Sequence, residues 1–105
     1  PYLQNARQLP LTKALFYKDA LVFKHLASTS IAIRSNATAH GVEVHFAGFP
    51  YMGIWSAKDA DFVCIEPWCG IADHVDASGE LTQKEGIIPL KPEEVFQKQW
   101  SAVFF

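Results

Sequence analysis

Val42-Glu43-Val44-His45-Phe46 alternates apolar and polar residues without a break. A period of two places Val42, Val44 and Phe46 on one face of a strand and turns Glu43 and His45 to the other. The same alternation appears just upstream, where Ile31 and Ile33 are interleaved with Ser30, Ala32 and Arg34. Between the two runs, Ser35-Asn36-Ala37-Thr38 and His40-Gly41 have turn composition. Leu21, Val22 and Phe23 open another β-rich run, and Ile54 to Ser56 reads as a short strand. Phe62-Val63-Cys64-Ile65-Glu66 is a continuous apolar run ending in an acid, and Ile87 to Leu90 reads as a further strand. Short strands at spacings near ten residues predict an all-β chain, a sandwich rather than an α/β fold.

The intervening segments are shorter on signal. Pro1 to Pro10 is polar and irregular, and Leu11 to Phe16 suits one helical turn after Pro10. Gly48-Phe49-Pro50-Tyr51-Met52-Gly53 reads as a loop carrying large side chains, and Asp76-Ala77-Ser78-Gly79 as a turn. The tail has two readings. Pro92-Glu93-Glu94 is a helix start, with Phe96, Trp100, Val103 and Phe104 on one side; Phe96, Trp100, Ala102 and Phe104 also fit a strand.

With 105 residues, the chain fits one small domain. Half of it is hydrophobic, with 3 Trp, 3 Tyr and 8 Phe, so apolar surface is available to offset chain entropy. The net charge of −2 and the scattered Lys and Arg offer no field for nucleic acid or anionic lipid. No apolar stretch approaches the roughly 20 residues that span a bilayer, and no leader opens the sequence. Cys64 and Cys69 are too few for a disulfide scaffold, which suits a reducing, cytoplasmic setting. With His74 they fit no zinc spacing, so no metal is expected.

Glu66 is the most informative residue. It follows four apolar residues and precedes Pro67 and Trp68. A carboxylate in such a run is costly to bury unless paired or used. An apolar wall disfavours the charged form of a carboxyl group and makes it a better proton acceptor near neutrality. The plain alternative is a strand-end Glu whose side chain reaches water. Trp55, Trp68, Phe49 and Tyr51 lie in or beside the flanking loops. Aromatic faces next to an acid suit a sugar, whose C–H faces stack while its hydroxyls seek carboxylates; the alternative is that they are core aromatics. Asp19, just before the first strand, has two readings too: a ligand for a sugar hydroxyl or a turn cap. His40 and His45 read as solvated surface residues.

Three blocks together carry a resemblance: Phe49-Pro50-Tyr51-Met52-Gly53-Ile54-Trp55-Ser56, then Phe62 to Asp73 with Ile65-Glu66-Pro67-Trp68 at its centre, then Lys84-Glu85-Gly86-Ile87. In that order they resemble the C-terminal third of bacterial aldose 1-epimerase (galactose mutarotase) family proteins, in the branch found with lactose operons. Leu9-Pro10-Leu11-Thr12, Leu15-Phe16 and Asp19-Ala20-Leu21-Val22-Phe23 are similar to the same branch. The resemblance spans about residues 9 to 100.

It implies that residues 1–105 are the C-terminal portion of one large antiparallel β-sandwich, the galactose mutarotase-like supersandwich, whose upstream part is missing. It implies interconversion of the α and β anomers of a free aldohexose, with a small-molecule sugar as partner and no cofactor. The family's catalytic glutamate falls on Glu66 and its substrate-binding aspartate on Asp19, while Trp55, Tyr51 and Trp68 are the candidates to line the sugar site. The family's general-acid histidine and its partner lie upstream of these motifs, and none of His25, His40, His45 and His74 matches them. Three other readings stay open: a non-catalytic carbohydrate-binding β-sandwich, an epimerase relative acting on hexose 6-phosphate, and a folded fragment with no activity of its own.

Overall fold

Among the described residues, six short strands form two antiparallel sheets of three. The structure is a computed structural model that describes residues 3–105; Pro1 and Tyr2, part of the irregular opening stretch, lie outside the described residues. The strands are β1 (Leu21–Lys24), β2 (Ser30–Arg34), β3 (Gly41–His45), β4 (Tyr51–Trp55), β5 (Cys64–Trp68) and β6 (Ser101–Phe104). One sheet has the order β1-β4-β5, the other β2-β3-β6. The chain crosses from β1 to β2 and back from β3 to β4, so the sheets are built in alternation. Helical structure among the described residues is limited to two 3₁₀ turns, Lys13–Phe16 and Leu81–Gln83. No helix is long and apolar enough to cross a membrane among these residues.

Register explains which side chains are inside. Leu21 pairs with Ile54, Phe23 with Met52, Ile54 with Ile65 and Met52 with Pro67. Paired residues share a face, so these six form the inner face of the first sheet. Leu21 and Met52 are fully buried and Ile54 nearly so; they cluster with Phe16 and Phe46, and Ile31 packs against them from the second sheet. The inner face of that sheet is Ile31, Ile33, Val42, Val44, Ala102 and Phe104. Val44 is buried, but Phe104 at the other end is 80% exposed. The Ile33–Val42–Phe104 end of this apolar face is therefore left without a roof.

The total accessible surface is 8342 Å². A compact monomer of this mass exposes about 5,900 Å². The radius of gyration is 15.9 Å, against about 13 Å for a compact domain of this length. Exposed large apolar side chains, among them Val95, Trp100, Val103 and Phe104, contribute to the excess.

Several elements differ from the sequence reading. The fifth strand starts at Cys64 rather than Phe62 and runs on through Pro67 to Trp68. Proline is tolerated because β5 is an edge strand, where no further strand needs its missing N–H. Tyr51, Met52 and Gly53 belong to β4, not to the preceding loop; the turn is made earlier, with Gly48 at φ +89°. Ile87 to Leu90 is irregular. It follows a turn closed by Ile87 N–H on the Lys84 carbonyl, and no strand is presented to pair with it. The predicted turn at 76–79 is centred earlier, closed by Ala77 N–H on the His74 carbonyl. The helix reading of the tail fails because Glu93 adopts φ +66°, a left-handed conformation that stops a helix. The strand reading holds over Ser101–Phe104.

Candidate functional site

The outer face of the first sheet carries the chemistry. Lys24, Tyr51 and Trp68 form one row across β1, β4 and β5, and Val22, Gly53 and Glu66 form the next. Trp55 and Cys64 form a third row across β4 and β5. The alternation that buries Leu21, Met52 and Ile54 therefore turns Glu66, Trp68, Tyr51 and Trp55 to the same side.

Glu66 is half-buried. Its Oε2 accepts a hydrogen bond from Trp68 Nε1, two residues along the strand, at 3.1 Å. The indole can approach the Gly53 backbone closely because Gly53 has no side chain. A Cβ on Gly53 would stand 2.5 Å from Trp68 Cζ2. Gly53→Ala is therefore expected to drive Trp68 off the sheet and cost about 1–3 kcal/mol of stability. Urea denaturation measures the loss, and unchanged stability would place the indole elsewhere.

Trp55 sits diagonally from Glu66 across β4 and β5, a separation of about 7–8 Å between backbones. It is 36% exposed and meets Phe62 edge-on with ring centroids 5.9 Å apart. Val22 next to Gly53 is also exposed. Trp68, Glu66, Trp55 and Val22 thus bound an aromatic and aliphatic floor with one carboxylate at its edge. Asp19 stands apart from this group. It precedes β1 at the end of the sheet where Trp55 lies, it is exposed, and its Oδ1 accepts from the Ala20 N–H at 2.7 Å.

Beyond Trp68, four polar residues meet that the sequence reading did not bring together. Glu85 Oε1 accepts from Lys24 Nζ at 2.9 Å and, more weakly, from the Tyr51 hydroxyl at 3.4 Å. Its Oε2 contacts His74 Nε2. The hydrogen bond from the Lys24 ammonium holds the Glu85 carboxyl below the ordinary glutamate range, with the charges of Lys24 and His74 adding to it. A depressed folded-state value means that the stabilisation is complete above the unfolded value and is lost as pH falls through the folded one. A carboxyl-carbon NMR titration is expected to put the Glu85 midpoint below that of an ordinary glutamate. Lys24→Met moves it back up, and a midpoint insensitive to that change would remove Lys24 as the cause. The sequence signal for this cluster was the Lys84-Glu85-Gly86 block, with Gly86 at φ +79°.

Two concavities adjoin the cluster. One of about 360 Å³ lies among Cys69, Gly70, Glu85, Gly86, Ile87 and Phe96. The other, of about 860 Å³, is open to solvent and lined by the loop from Asp73 to Glu85. Glu66 lines neither. Among the described residues, no group of three or more His, Cys, Asp and Glu is placed to hold a metal ion.

Two curated proteins show what this chain is similar to. Protein LacX, chromosomal, and Protein LacX, plasmid, both of Lactococcus lactis subsp. lactis, are each 30% identical to it over 101 residues. The chain is homologous to the LacX proteins. The match takes in 95% of the chain but 34% of each relative, so the chain spans about a third of the length of the LacX proteins. It therefore includes all the blocks around Glu66 described above. No family model matches the chain, and no solved structure matches it significantly.

Proposed function

We propose that the chain is the Glu66-bearing portion of an aldose 1-epimerase, a mutarotase acting on a free aldohexose such as galactose or glucose. The observation that carries this reading is the half-buried Glu66 carboxylate, oriented by Trp68 Nε1 beside an otherwise aromatic and apolar floor. A pyranose placed on that floor stacks its C–H face on Trp55 and Trp68 and brings its anomeric hydroxyl to Glu66. Tyr51, buried and hydrogen-bonded to Glu85, supports the floor, and Asp19, at the Trp55 end, takes a hydroxyl on the far side of the ring. Homology to the LacX proteins supports a role in carbohydrate metabolism, in a cytoplasmic setting that suits the two free cysteines.

In this reaction Glu66 removes the proton of the C1 hydroxyl while an acid protonates the ring oxygen. The C1–O5 bond breaks and C1 becomes an aldehyde. Rotation about C1–C2 presents its other face, and reversal of both proton transfers closes the ring as the other anomer. The acid is a histidine contributed by polypeptide outside this chain, which is the C-terminal portion of a larger sandwich. The exposed Phe104 end of the second sheet's inner face, and a chain that spans 34% of each LacX protein, support further polypeptide beyond these residues.

The charge pattern favours a free sugar over a phosphorylated one. Lys24 is paired with Glu85, and Lys84 lies 3.4 Å from Asp73. Each of these nearby cations already has a carboxylate, which weakens its attraction for a phosphate.

Saturation-transfer NMR between the two anomers tests the proposal in the complete protein. Faster exchange for galactose or glucose than in buffer is expected. Sugar binding without faster exchange would instead make this a carbohydrate-binding module. Acceleration confined to a hexose 6-phosphate would move the substrate class.

A further inference from the structure

We propose that Glu85 is a positioning residue for Glu66: it clamps the segment around Gly86 against the end of β5 and so holds Trp68 in the orientation that fixes the Glu66 carboxylate. The inference rests on the assignment of Glu66 as the working group, but its structural part stands on separate contacts.

Trp68 is held from three directions. Gly53 gives it a flat floor, its cross-strand partner is Tyr51, and the chain leaves β5 immediately after it at Cys69 and Gly70. Gly86 packs against that exit and against Tyr51 rather than against the indole itself. A Cβ at Gly86 would lie 2.7 Å from the Cys69 carbonyl oxygen, 2.8 Å from Gly70 Cα and 3.0 Å from Tyr51 Cε2. The backbone at Gly86 is thus pressed against the two residues that follow Trp68 and against the ring beside it. Such an approach needs both the missing side chain and the positive φ found there.

That contact is at the end of a long excursion from Cys69 to Gly86, most of which is exposed. Its anchor to the sheet is Glu85. One carboxylate oxygen reaches Lys24 and Tyr51, the other members of Trp68's own row, and the second reaches His74 within the excursion. A charged acceptor with a lysine partner is a strong hydrogen-bonding arrangement, and here it spans 61 residues of sequence. Without it, Gly86 is released from Cys69 and Gly70, and the indole loses the support that keeps Nε1 on Glu66.

Glu85→Gln keeps the size of the side chain and removes the charge that attracts Lys24. The indole N–H signal of Trp68, assigned by its loss in Trp68→Phe, is expected to move towards the position of a free indole. The signals of Trp55 and Trp100 stay in place. In the complete protein, mutarotation falls about 10-fold to 10²-fold in kcat, the scale of a misplaced catalytic group, with KM changed less than about 3-fold. Lys24→Met, which leaves Glu85 intact, gives the same selective shift, and it decides the matter if Glu85→Gln fails to fold. An unmoved Trp68 signal in folded Lys24→Met or Glu85→Gln overturns the clamp. A selective shift in a protein with no mutarotase activity keeps the clamp and refutes the function proposed for Glu66.

Discussion

In the complete protein, Glu66→Gln is expected to reduce mutarotation by about 10²–10⁴ while leaving the fold intact. That range corresponds to about 3–5 kcal/mol of transition-state stabilisation. The substitution isolates chemistry from structure because the amide carbonyl it introduces still accepts from Trp68 Nε1, the one side-chain partner of Glu66 among the described residues. Volume and hydrogen bonding are kept, and only the basic oxygen is lost. Optical rotation of freshly dissolved α-galactose reads the rate, and circular dichroism reads the fold. A Glu66→Gln variant that equilibrates the sugar as fast as the parent would take Glu66 out of the mechanism.

Leu21→Ala is expected to cost about 2–5 kcal/mol of stability, the range for emptying a fully packed apolar site. Leu21 is completely buried and packs with Phe16, Phe46, Met52 and Ile54. Small domains have about 5–15 kcal/mol in total. Its strand neighbour provides the control. Val22 is 39% exposed on the outer face, so Val22→Ala is expected to cost well under half as much. Urea unfolding of the two variants measures the register directly. Equal losses at both positions would show that β1 does not bury one face and expose the other.

Glu66, Trp68, Tyr51 and Trp55 were legible in the sequence because each stands in or beside an unusually apolar, aromatic stretch. Their sharing one face was not legible, because Tyr51 to Gly53 carried loop composition and hid the strand that aligns them. Asp19 stood out in the same blocks, yet its carboxylate is engaged with its own neighbour, Ala20. Glu85 and Lys24 stayed hidden for the opposite reason. Each is an ordinary charged residue in its local sequence and gains meaning only from a partner 61 positions away.

Local alternation by itself determined that the chain is β-rich and which residues of Val42 to Phe46 point inward. Those are properties of a two-residue backbone repeat, and neighbours along the chain are enough to state them. Tertiary structure alone decided which strands pair, that Pro67 sits on an open edge, that Gly53 makes room for the indole, and that Glu85 locks a distant loop beside it. Pairing and close approach depend on residues far apart in sequence meeting in space, and no local pattern contains that distance.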